Sequence, residues 1–137
     1  MSSFILHGNI IHSRDVSTLD ITEGGYAVCE NGICRGVFDA IPEKYASLPV
    51  VDFGDKLIIP GMVDLHIHGA QYAYRGMGMD LELLDWLDTY AFPEEAKFAN
   101  DEYANKAYGI FADAMKKSAT TRACIFASAH SRATEIL

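Results

Sequence analysis

The segment PGMVDLHIH, residues 60–68, alternates apolar and polar side chains. In a strand this puts Val63, Leu65 and Ile67 on one face and Asp64, His66 and His68 on the other. TTRACIFASAH, residues 120–130, divides the same way, with Ala123, Ile125, Ala127 and Ala129 against Cys124, Phe126, Ser128 and His130. Between the two runs the period becomes helical. Asp80 can cap a helix whose stripe runs Leu81, Leu84, Leu87, with Glu82 at its positive end. Tyr103, Ala104, Ala107, Tyr108, Phe111, Ala114 and Met115 follow i, i+3, i+4 spacing and predict a second helix over 101–117, the stripe serving as core packing. Two strands separated by helices, each with ionisable groups at its C-terminal end, predict the opening of a (β/α)8 barrel, whose chemistry sits at that end. The outer strand face is expected to pack on helices. A full barrel takes about 250 residues, whereas only residues 58–137 are available, and Ser131 reads as the N-cap of a last helix of one or two turns. The chain is therefore expected to be a piece of a longer protein, with the barrel cut short of closure.

Residues 1–57 read as a small N-terminal β domain, which makes the whole chain α/β. SFILHGNIIH and YAVCENGICRGVF are β-forming runs, and Asn31-Gly32 inside the second is a preferred central pair of a tight hairpin turn. IPEKYASLP predicts one helical turn that starts at Pro42 and stops at Pro49.

Half the 137 residues are apolar and 22% are charged, the profile of a folded chain rather than a disordered one. The net charge of -8, with no basic run longer than Lys116-Lys117, excludes a nucleic-acid binder. The N-terminus has three apolar residues before His7, so neither a signal peptide nor a membrane span is expected, and the location reads as cytoplasmic. Cys29, Cys34 and Cys124 form no disulfide framework and no C-x-x-C zinc site. The H-x-E and P-C-x-x-C signature of cytidine-type zinc deaminases is absent.

His66 and His68, two apart on one strand face, can offer both rings to one metal ion, and neutral imidazole suits zinc. A catalytic zinc usually takes three protein ligands and a water, so two histidines are an incomplete set. His-x-His alone fits a solvated strand face equally well. Burying Asp64, His66 and His68 together would cost several kcal/mol without a metal or hydrogen bonds to satisfy them. Asp64 is read as a hydrogen-bonding partner in the barrel. His130 ends the second strand beside Ser128, where it lines the pocket mouth or serves structure. His7 and His12 have no visible partners and receive no role.

IIPGMVDLHIH resembles the first barrel strand of the amidohydrolase superfamily, which reads Pro-Gly-hydrophobic-Val-Asp-x-His-x-His. Its continuation, HIHGAQYAYRGMGMDLELLDWLDTYAFPEEAKF, is similar to the guanine deaminase family within it. The similarity lies in His66, His68, Gln71, Asp80-Leu81, Leu83-Leu84, Trp86-Leu87, Tyr90, Phe92-Pro93, Glu95 and Phe98. It is dense from Pro60 to about His130 and general before that. The resemblance implies Zn2+ held by His66 and His68, a guanine or related purine substrate held by Gln71, and hydrolysis of guanine to xanthine and ammonia. It also implies that the β domain is part of a composite β-sandwich and that the complete protein is a homodimer. A carboxamide offers a donor and an acceptor together and can pair with a purine edge; without the resemblance Gln71 is an ordinary loop residue. The family's further zinc ligands and its proton-transfer groups come from later strands, so no catalytic group is expected in this chain and the chain alone is expected to be inactive. Where the family has Gly-Thr-Thr-Thr, this chain has Ala119-Thr120-Thr121-Arg122. If that glycine ends a helix in the left-handed region, Ala119 costs about 1 kcal/mol there.

Two alternatives stay open. One is another amidohydrolase deaminase or chlorohydrolase with a different ring substrate. The other is a naturally short, non-catalytic chain that acts as an assembly module.

Overall fold

A computed structural model describes residues 2–137, which divide into two compact units at Pro60–Gly61. The boundary expected after residue 57 would instead cut the last residue from a strand that runs to Ile58.

The first unit is a four-stranded sheet of β1 (Phe4–Ser13), β2 (Leu19–Glu30), β3 (Ile33–Phe38) and β4 (Val50–Ile58), ordered β3-β2-β1-β4. β1 pairs antiparallel with β2 and parallel with β4. The β2–β3 turn has Asn31 at φ 54° and Gly32 at φ 78°, the positive pair that matches the right-handed twist of hairpin strands. Ile5, Val28 and Tyr45 form the core, with Tyr26, Phe38, Ile41 and Leu48 packed on it. Tyr45 closes a single 3₁₀ turn, Glu43–Tyr45, which Pro42 precedes as N-cap rather than opening as first helical residue. His7 has a partner after all: its Nδ1 lies 2.8 Å from Asp52 Oδ1 and its ring stacks on Tyr26. The Gly54 amide, and then the His7 ring, hold the Asp52 carboxyl below its usual range.

The second unit joins two parallel strands, β5 (Met62–His68) and β6 (Thr120–Phe126), through a helical crossover. This is the repeating βαβ element of a (β/α) barrel. A 3₁₀ turn, Gly69–Tyr74, follows β5 directly. Next come α1 (Leu83–Trp86), a π-helical turn (Leu87–Ala91), α2 (Phe92–Ala96), α3 (Asp101–Lys116) and, after β6, α4 (Ser131–Ile136). The cap expected at Asp80 lies two residues later, at Glu82, which makes no side-chain cap bond. Pro93 explains the π turn. A proline has no N–H for the carbonyl four residues back and its ring crowds that carbonyl, and the chain widens just before it, the Phe92 N–H bonding the Leu87 carbonyl five residues earlier.

α3 keeps the predicted stripe, with Ala104, Tyr108 and Phe111 buried. Ala104 and Tyr108 join Ala70, Phe98 and Ala133 in the core of this unit. Asn100 caps α3 by accepting the Tyr103 N–H at 3.0 Å. Asn100→Ala should cost about 1 kcal/mol, visible as a fall of a few degrees in thermal midpoint. At the other end Lys117 is right-handed and the Ser118 hydroxyl donates to the Met115 carbonyl. Asn31 is the one non-glycine with positive φ among the described residues, so Ala119 carries no left-handed strain.

Three expectations shift. β6 ends at Phe126, so residues 127–130 lie beyond the strand. His130, not Ser131, occupies the N-cap position of α4, and its side chain makes no cap bond. The apolar face of β5 is not covered by helices within this unit: Val63 and Leu65 are exposed. Gly61 crosses Thr121 so closely that a Cβ at residue 61 would overlap the threonine side chain. Gly61→Ala should cost about 1–3 kcal/mol, and Thr121→Gly should recover part of it in a denaturation series. No helix among the described residues is long and apolar enough to cross a membrane.

Candidate active site

The strand period brings His66 and His68 together as expected. Their Nε2 atoms are 2.9 Å apart and their ring centroids 5.0 Å. At that distance one ring donates a proton into the lone pair of the other, and a cation bound between them takes the place of that proton. Imidazole nitrogens about 2.0–2.1 Å from a tetrahedral zinc lie somewhat farther apart than this, so a small opening of the rings fits the pair to the ion. Asp64 turns back to the strand instead, where its Oδ1 accepts the His66 backbone N–H at 3.0 Å. This bond fixes the strand where it carries the first imidazole.

Phe126 supports both rings. Its centroid lies 4.4 Å from His66 and 5.1 Å from His68, stacked on the latter at 19°. Parallel pairing opposes His68 to Phe126, so the same register that ends both strands together places an apolar plate against the two imidazoles. Alternation put Phe126 on this side of β6 but carried no sign of the contact.

Gln71 lies in the 3₁₀ turn that β5 feeds, between buried Ala70 and buried Tyr74. Its Nε2 donates to Glu95 Oε1 at 3.1 Å. The Tyr74 hydroxyl is buried without a hydrogen-bond partner among the described residues. Burial, then the charges of Glu95 and Glu94, raise its pKa well above the ordinary phenol value, so it stays protonated. Glu94 itself accepts from the Tyr103 hydroxyl and the Lys97 ammonium. His130 is not drawn into the pair. Its Nδ1 lies 3.3 Å from Ser128 Oγ, and its carbonyl accepts the Thr134 N–H.

No group of three or more His, Cys, Asp or Glu side chains gathers at a metal-binding point among the described residues. What the chain builds is a two-imidazole strand end with a carboxamide on the next turn. Residues 57–137 match the model of the Amidohydrolase family, and the chain belongs to this family. It is similar to the guanine deaminase of Dictyostelium discoideum, 44% identical over 97% of this chain and 33% of that protein. The human guanine deaminase is 40% identical over 60% of this chain and 18% of its own length. Among solved structures, guanine deaminase from C. acetobutylicum with bound guanine in the active site superposes with a TM-score of 0.92 at 42% identity, over 98% of this chain and 32% of that one. The chain thus spans about a third of the length of the relatives it matches most fully.

Proposed function

We propose that this chain supplies the metal-binding strand and the purine-contacting turn of a guanine deaminase, which hydrolyses guanine to xanthine and ammonia. The observation that carries this is the convergence of the two Nε2 atoms at 2.9 Å on a strand end, with Gln71 on the turn that follows. His66 and His68 would hold a zinc ion, which when bound would supply Lewis acidity and lower the pKa of a water. Asp64 fixes the strand that carries His66, and Phe126 braces both rings and keeps water from one side of them. Gln71 pairs with the purine edge and so selects a base whose donors and acceptors match a carboxamide. Proton transfer and the remaining donors fall to residues outside this chain, and the 137-residue chain alone turns over no guanine.

Substrate comparison tests the proposal. Residues 1–137 are fused to the remaining two thirds of the Dictyostelium discoideum relative, and the fusion is offered guanine, adenine, cytosine and a chlorinated triazine. Conversion of guanine alone is expected. A folded, zinc-loaded fusion that prefers another ring would move the chain to a different amidohydrolase activity.

A further inference from the structure

Gln71 has two nearly isosteric ends, and which one faces a ligand decides whether it offers an acceptor or a donor. A carboxylate only accepts, so the 3.1 Å bond from Gln71 Nε2 to Glu95 Oε1 commits the amide nitrogen to Glu95. The carbonyl oxygen and the second N–H are left as the free groups. Both partners are partly buried, where such a bond is less open to competition from water than on the surface.

Glu95 reaches this position because of the π turn. α2 begins right after Leu87–Ala91, and each residue of helix advances the direction of a side chain by about 100°. The extra residue accommodated ahead of Pro93 therefore rotates Glu95 relative to α1. The neighbouring Glu94 does not compete for Gln71, since its carboxylate is engaged by Tyr103 and Lys97.

We infer that Glu95 is a positioning residue, whose carboxylate holds the Gln71 carboxamide in one orientation and so presents its carbonyl oxygen to an N–H donor of the purine. The functional half of this rests on Gln71 touching the purine; the orientation half does not.

Gln71 is the only glutamine in the chain, so the 137-residue chain labelled with side-chain 15N-glutamine gives one NH2 signal pair. The two proton shifts should be well separated in the unaltered chain. They should collapse toward free-amide values in Glu95→Ala, stay in place in Glu94→Ala, and largely recover in Glu95→Asp. Fluorescence of Trp86, the sole tryptophan, checks that each variant is folded. An unchanged NH2 pair in folded Glu95→Ala overturns the positioning role, whatever the substrate. In the fusion, Glu95→Ala should raise KM for guanine about 10-fold with kcat changed less than about 3-fold. An altered NH2 pair with unaltered KM would keep the orientation and remove Gln71 from the purine site.

Discussion

Replacing either His66 or His68 with alanine should strip zinc from the fusion enzyme and lower guanine turnover by more than about 100-fold. Loss of a group that merely orients a metal ligand typically costs about 10–100-fold, and these two residues are proposed as ligands themselves. The 2.9 Å approach of their Nε2 atoms makes them a unit: removing one leaves the ion the other imidazole and the donors from the rest of the fusion, without the pair that grips it. The double variant should therefore lose little beyond either single one. Metal content after dialysis, measured beside turnover, separates this outcome from unfolding. Asp64→Asn should be far milder, because its role is to accept a backbone N–H, which an amide oxygen can also do. Full zinc retention in His66→Ala would contradict the assignment.

The largest stability effect is expected at Phe98. Its side chain is 1% exposed, and its ring centroid lies 4.7 Å from Tyr108 and 5.2 Å from Tyr103. Phe98→Ala empties the centre of a cluster that also contains Ala70, Ala104 and Ala133. Those alanines are too small to fill the space, so the cost should fall at about 3–5 kcal/mol. That is a large share of the roughly 5–15 kcal/mol that holds a typical domain folded. Phe98→Leu keeps most of the volume and should cost far less. Urea unfolding followed by Trp86 fluorescence reads this unit directly, since the only tryptophan lies in it. Ala70 adjoins Gln71, so the Ala variant should also loosen the turn that carries the carboxamide. An unchanged midpoint would mean that Phe98 is not a core residue.

Much of this was legible because it is periodic or local. Alternation placed His66 with His68, and Phe126 on the inner side of β6; the helical stripe marked Ala104, Tyr108 and Phe111; Asn31-Gly32 marked a turn. Features set by distant partners left little trace. β4 carries Asp52, Gly54 and Asp55, poor strand formers, and is held by its pairing with β1. The bond between Gln71 and Glu95 spans 24 positions, and no local spacing predicts it. The helix after β5 was legible as an amphipathic run, but Pro93 widens it into a π turn, a response of the backbone that residue periodicity does not register. Strand ends were the other weak point. Ala127 and Ala129 continue the alternation of β6, yet ladder pairing stops at Phe126, and His130 goes to the cap position of α4.

The most direct measurement is a crystal structure of the fusion grown with zinc and guanine. The proposed function predicts metal density bonded to Nε2 of both His66 and His68, with the Gln71 carbonyl oxygen within hydrogen-bond distance of a guanine N–H and its amide nitrogen still on Glu95. Zinc held elsewhere, with the two histidines bonded only to each other or to solvent, would contradict it.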